Sequence, residues 1–321
     1  MTSRWIITVF NFMFAVYIIG VSMLVLATDK LPKPSSRFRN PQVVKIKGLP
    51  NGADGTSIST EEPFLSRYGR FLFFNTGKKE NNKDLHFAEL IQSQWFYRGQ
   101  IGPNVNTKKE VEGNPSMDSK YNFFYIDSNV DRMVRTASFA FKTGELRALK
   151  VFEGVPKREV KLFAQKFHGN MGVEVSADGN IVFFSRATWN MRGFSLGKLA
   201  GSDILFVRKR KDAYVFDKTE AKRVMQNVNT LDLEYAASIS SDGLELFFTR
   251  LNIADYKKGN IRSRIMRSTR TSLSEPFSKP KMIDAIGDSD FVEGPAISGD
   301  AKELYYHKHD GKKFRLYKVT R

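Results

Sequence analysis

"FVEGPAISGDAKELYYHKHDGKKFRLYKVTR", Phe291 to Arg321, reads as an alternating strand that stops at Ser298, a tight turn, and a second strand that closes on Tyr305-Tyr306. A third strand follows at Phe314–Thr320. Period-two alternation puts every second side chain on one face, as a half-buried strand requires. No fourth strand follows, and three strands alone leave an open sheet edge on which other chains can pair. What covers that edge decides the fold.

Four earlier stretches share the pattern of a serine, about seven residues and an aromatic pair: "FLSRYGRFLFFNT" (Phe64–Thr76), "PSMDSKYNFFYI" (Pro115–Ile126), "VEVSADGNIVFFSR" (Val173–Arg186) and "ASISSDGLELFFTR" (Ala237–Arg250). Ser66, Ser116, Ser176, Ser240 and Ser298 recur every 50 to 64 residues, with Phe73, Phe123, Phe183, Phe247 and Tyr305 as first aromatics. Gly69, Gly179 and Gly243 supply the positive φ of a tight hairpin turn. The copies at Ser116 and Ser298 lack that glycine and are expected to turn differently. Third strands are read at 84–90, 131–139, 203–209, 263–270 and 314–320, with a fourth in the first four units, as in "PKMIDAIG" (Pro280–Gly287). Four antiparallel strands repeated five times describe an all-β, five-bladed β-propeller. "PQVVKIKG" (Pro41–Gly48) looks like "PKMIDAIG", so this N-terminal strand is expected to complete the last blade. "NVNT" occurs at Asn104–Thr107 and again at Asn227–Thr230, each time just before a new inner strand.

"EYAASISSDGLELFFTR…SRIMRSTRTSLSEPFSKPKMI" closely resembles the WD-like propeller repeats of the TolB type, common in bacterial envelope proteins. The resemblance spans about residues 41 to 321 and implies a fold rather than an activity, since binding scaffolds, peptidase gates and lyases share these repeats. The domain division expected is an anchor or signal peptide at 1–28, a Pro-punctuated linker at 29–40 and the propeller at 41–321.

"WIITVFNFMFAVYIIGVSMLVLA", Trp5 to Ala27, is long and apolar enough to cross a bilayer as a helix. An uncleaved anchor is favoured over a cleaved signal, although Val25-x-Ala27 would suit a signal peptidase. Arg4 before it and Lys30, Lys33, Arg37 and Arg39 after it favour a cytoplasmic C-terminal domain. The resemblance to envelope propellers points the other way, and export to the cell envelope is the expectation here. The chain has no Cys, which excludes disulfides, thiolate metal sites and a cysteine nucleophile. Its net charge of +17 favours anionic partners, or serves only solubility. Groove-reading motifs are absent, and "RKRK" (Arg208–Lys211) is too short to argue for nucleic acid.

In a propeller the loops that lead into the inner strands build one mouth of the central channel. Those segments carry Glu62, Glu112, Glu174, Glu234 and Glu293, read as one glutamate per blade. Arg186, Arg250, His307 and Lys308 follow the aromatic pairs, and the longest loop carries Trp189, Arg192 and Phe194. Two arrangements compete. Glutamates and arginines can pair between blades, or a basic rim can hold an anionic ligand while Trp189 stacks on a sugar. The expected partner is accordingly an envelope protein or an acidic glycan, with no cofactor and no catalysis assumed. "VEGP" (Val292–Pro295) resembles the acid motif of arabinanase-type five-bladed glycosidases. That resemblance implies Glu293 as proton donor, with Asp288, Asp290 or Glu112 as second carboxylate. His168, His307 and Glu293 are the candidates for a metal site of the kind seen in propeller lyases.

Overall fold

The computed structural model describes residues 37–321 apart from 53, 54, 56, 80, 81, 103, 108–110, 129–132, 158, 162, 163, 193 and 194. The apolar segment at 5–27 and the linker up to residue 36 lie outside the described residues. Within them, no helix is long and apolar enough to cross a membrane.

The strand that closes the terminal edge is β1 (Arg39–Val43). It starts two residues before the expected Pro41, so the strand takes in the end of the expected linker. The first sheet contains β2 (Ile46–Lys47), β3 (Glu61–Leu65), β4 (Phe71–Lys79), β5 (Asn82–Ile91) and β6 (Gln94–Gln100). The second contains β7 (Glu112–Met117), β8 (Asn122–Asp127), β9 (Met133–Ala140) and β10 (Glu145–Val151). The third meander is β11 (Glu159–Lys161), β12 (Lys166–Val175), β13 (Ile181–Arg192), β14 (Ser195–Arg210) and β15 (Ala213–Val215). Helix α1 (Lys218–Met225) leads to the fourth meander, β16 (Leu233–Ile239), β17 (Glu245–Leu251), α2 (Ile253–Lys257), β18 (Ser263–Thr269) and β19 (Lys281–Met282). A single parallel bridge, Ser202 to Leu233, joins the third and fourth meanders. The last sheet is β20 (Val292–Ile297), β21 (Glu303–His309), β22 (Phe314–Thr320) and β1.

β1 pairs antiparallel with β22, Val43 opposite Tyr317, and the Val44 N–H continues the ladder to the Leu316 carbonyl at 2.9 Å. Ile46–Lys47, read as part of that same strand, instead pairs parallel with β6 of the first sheet. The N-terminal segment therefore bridges the first and last sheets. The inner strands lie side by side in sequence, β3 by β7, β7 by β12, β12 by β16, β16 by β20, and β20 by β3.

The aromatic pairs explain why the sheets stack. Neighbouring residues on a strand face opposite ways, so each pair feeds two inter-sheet cores. Phe73 meets Phe123 in one core, Phe124 meets Phe184 in the next, and Phe183 meets Phe248 in a third. Phe247 meets Tyr306, and Tyr305 meets Phe74, which joins the last sheet to the first. Each such buried ring stabilises by about 1.5–3 kcal/mol.

The repeated serine caps its turn. The hydroxyls of Ser66, Ser176, Ser240 and Ser298 accept the N–H five residues on, each at 2.9 Å. In the second copy this role falls to Asp118, two residues after the Ser116 of the repeat, which accepts from the Asn122 N–H at 2.9 Å. The fifth turn, expected to differ, keeps the same bond pattern, with Ala301 in place of glycine at φ 59°. In the second, Tyr121 takes the left-handed conformation at φ 65°.

The "NVNT" echo is a latch between sheets. Asn229 takes both the N–H and the carbonyl of Ile204 at 2.9 Å, and Asn106 does the same for Leu85 at 2.7 and 3.0 Å. Thr230 and Thr107 then cap Glu234 and Glu112 through both N–H and hydroxyl. Asn229→Ala leaves two backbone groups of Ile204 unpaired and is expected to cost about 1–3 kcal/mol in urea unfolding. A loss below about 0.5 kcal/mol would show that the latch adds nothing.

Candidate axial cavity

Where the inner strands begin, their ends surround a cavity of about 410 Å³. Each inner strand contributes to its wall, through Glu62, Gly113, Met171, Tyr235 and Glu293 among others. The third meander rises highest there, because its central strands run on to Arg192 and from Ser195. Phe167, Ala187 and Trp189 form a small core inside this extension, with Met171, Met191 and Leu199 packed against it. Leu199 and Met171, with Tyr256 of α2, Ile261 and Phe291, give the cavity an apolar wall.

The polar side is built from the first and last sheets. The His307 Nδ1 accepts the Glu62 N–H at 3.0 Å, so the ring proton sits on Nε2, which faces Glu293 Oε2 at 3.3 Å. The Tyr235 hydroxyl donates to the other Glu293 oxygen. Burial, and then the Glu293 charge, push the Tyr235 phenol well above its ordinary pKa, so it remains a donor. Glu62 accepts the Asn114 N–H at 2.7 Å. Lys83 reaches in from β5, 2.5 Å from Glu61 and 3.6 Å from Glu62. Burial pulls the Lys83 pKa down, but the charges of Glu62, Glu61 and Glu293 outweigh it, and the ammonium is held above its ordinary value.

Deeper along the axis the space shrinks to a void of about 30 Å³ lined by Glu62, Asn114, Glu174 and Gly294. Beyond it lies a buried ion pair. Arg67 donates to Glu174 at 2.9 Å, to the Ile239 carbonyl at 3.1 Å and to the Val175 carbonyl. Glu174 also accepts from Ser116 at 2.7 Å and from the Ile239 N–H at 3.1 Å. The cavity is therefore blind.

The glutamates read as equivalent are not. Each inner strand has a bulge near its start, between Glu61 and Phe64, Gly113 and Ser116, Asn170 and Gly172, Tyr235 and Ser238, and Glu293 and Ala296. Glu112 and Glu234 precede the bulge, and burial raises both their pKa values. Glu62 sits within it at φ 49°. Glu174 lies beyond it, opposite Phe183, where the other sheets have Phe64, Ser116, Ser238 and Ala296.

Of the expected basic rim, His307 alone lines the cavity. Arg250 pairs with Glu234 at 2.7 Å, within one sheet rather than between blades. Arg186 donates to the carbonyls of Pro156 and Lys157, and burial lowers its pKa. Lys308 pairs with Asp290 at 2.6 Å. Trp189 is no platform: the residue is 9% exposed and its ring packs on Phe167. Of Arg192 only the backbone is described, and Phe194 lies outside the described residues. Asp288 pairs with Arg264, and among the described residues Glu62 is the carboxylate that shares the cavity with Glu293. His168 bonds Thr188 on the raised extension, and among the described residues no three His, Asp or Glu side chains are placed to hold a metal. Burial and Arg186 lower the His168 pKa.

Reading the sequence missed Lys83, Tyr235 and Arg67. One signal was available: "EEP" at Glu61–Pro63 and "EGP" at Glu293–Pro295 mark the same bulge in the first and last inner strands.

No protein-family model and no curated protein sequence matches the chain. Among solved structures, a glycoside hydrolase superposes with a TM-score of 0.54 at 10% identity, covering 89% of this chain and 91% of the other. An endo-1,4-beta-xylanase from Bacteroides thetaiotaomicron gives 0.46 at 13%, covering 81% and 90%. TolB from Acinetobacter baumannii gives 0.44 at 10%, covering 83% and 55%. At these identities the likeness is one of fold alone, the propeller-type fold that the TolB-like repeats led us to expect.

Proposed function

We propose that the protein is a five-bladed propeller, held at the cell envelope by its N-terminal apolar segment, that binds a neutral glycan in the axial cavity without cleaving it. The observation that carries this reading is the cavity itself, in which Glu62, Glu293, Lys83 and His307 converge opposite an apolar wall. A few polar groups on one side of an apolar pocket of this size is the usual construction of a small-molecule site. Lys83 is the one Lys or Arg among the described residues of its wall, and it is already engaged by carboxylates, which disfavours an acidic glycan. Sugar hydroxyls, by contrast, donate well to carboxylates.

Hydrolysis is the second reading, favoured by Glu62 and Glu293 lining one cavity. Against it, both oxygens of Glu293 face protein groups, Tyr235 and His307, which suits a fixed carboxylate better than a proton donor. The full chain in detergent, applied to a glycan array, is expected to retain neutral glycans and release no new reducing ends. Glu293→Gln is expected to bind about 10- to 100-fold more weakly, the loss of a charge-assisted hydrogen bond. Reducing ends released by the wild type and abolished in Glu293→Gln would establish hydrolysis instead.

A further inference from the structure

We infer that the cavity takes the terminal residue of the glycan, and that Glu62 and Lys83 together hold a pair of its adjacent hydroxyls. This rests on the glycan reading and goes beyond it. Chain interiors need a cleft open at two ends, whereas this cavity ends in a void of about 30 Å³ and the Arg67–Glu174 pair. The raised third meander and α2 close its flank through Leu199 and Tyr256.

Within the cavity, a hydroxyl both donates and accepts, so two neighbouring hydroxyls match a carboxylate set beside an ammonium. Glu62 and Lys83 form such a couple, with 3.6 Å between Nζ and Oε1. Beside them lies a polar group with no partner among the described residues: Asn75, fully buried, has neither its amide nitrogen nor its oxygen hydrogen-bonded to them. Its nitrogen lies 3.5 Å from where a Gly113 Cβ would stand, and Glu62 Oε2 lies 2.6 Å from the same point. A buried amide without a partner is costly, and a ligand hydroxyl that shifts Glu62 gives it one. Glu62 itself stands at φ 49°, where the second sheet has Asn114 at φ 53°, the fourth meander Ala236 at φ 51° and the last sheet Gly294 at φ 62°; of these, Asn and Gly tolerate the conformation best. The backbone alone would choose glycine there.

The test uses the full chain in detergent and the methyl glycosides of glucose, galactose, mannose, xylose and arabinose, followed by saturation-transfer NMR. At least one methyl glycoside is expected to bind. Glu62→Gly is expected to weaken that binding at least tenfold while its Tm stays near that of the wild type, because relief of the left-handed backbone offsets the lost acceptor of the Asn114 N–H. Lys83→Met is expected to weaken it as well. If array glycans bind but no methyl glycoside does, the chain-end inference is overturned and the glycan reading stands. If neither class binds, the glycan reading falls with it. Unchanged affinity in Glu62→Gly, or a lowered Tm together with lost binding, overturns the role given to Glu62.

Discussion

Replacing Glu174 by alanine is expected to destabilise the fold by about 3–5 kcal/mol, the range for breaking a buried ion pair from one side. Both side chains are 3% exposed, so the Arg67 charge left behind has no water to turn to. Three donors from three sheets lose their acceptor at once: Arg67, the Ser116 hydroxyl and the Ile239 N–H. The pair joins the first sheet to the third, and the cost falls on the centre of the ring. Taking the opposite charge away as well should restore stability. Arg67→Met with Glu174→Gln buries no charge and keeps one amide oxygen to accept from the Ile239 N–H or the Ser116 hydroxyl, which bond to different oxygens of Glu174, so the double variant is expected to recover more than half of the loss. Urea unfolding of the wild type, Arg67→Met, Glu174→Gln and the double variant measures the coupling, with Glu174→Ala run beside them for the one-sided loss. A loss below about 1 kcal/mol for Glu174→Ala would mean that the axis is held by the aromatic cores alone.

The second large effect concerns the seam. Removing residues 1–36 is expected to leave Tm unchanged, whereas removing 1–44 should destabilise by at least about 3 kcal/mol. The longer deletion takes away Phe38, which is buried edge-on against Phe247 with 5.9 Å between ring centroids. It also removes the ladder to β22 and strips the ring beneath the Arg321 guanidinium, which lies 4.8 Å above Phe38 and pairs with Glu245 at 2.9 Å. The bared edge of β22 offers unpaired backbone groups to other chains, so aggregation should accompany the lost stability. Differential scanning calorimetry with size-exclusion chromatography reads both. Equal Tm and a monodisperse profile for the two deletions would show that β1 does not hold the ring closed.

Much of the fold is legible in the amino-acid order. Alternation and turn chemistry are local, so the hairpins at Ser176, Ser240 and Ser298 and the aromatic pairs stand where the pattern put them. The second copy departs from the pattern by a step, because Asp118 caps its turn as serine caps the others, two residues after Ser116. The fifth turn was misjudged on the assumption that positive φ needs glycine, yet Ala301 tolerates φ 59° when the surrounding turn fixes it.

The candidate site was legible only in part, and bulges are the reason. Along a regular strand, sequence spacing tells which side chains share a face. A bulge inserts a residue and resets that parity. Glu62, Glu112, Glu174, Glu234 and Glu293 look alike in the sequence, yet only Glu62 and Glu293 reach the cavity wall. What the amino-acid order determined by itself is the repeated hairpin, its capped turn and its aromatic pair, each set by interactions a few residues long. Tertiary structure alone decided the rest. The Glu62 N–H bonds to His307 across 245 residues, and Arg67 meets Glu174 across 107. Such pairs exist only because the ring closes, and no local pattern encodes which distant side chains that closure brings within hydrogen-bond reach.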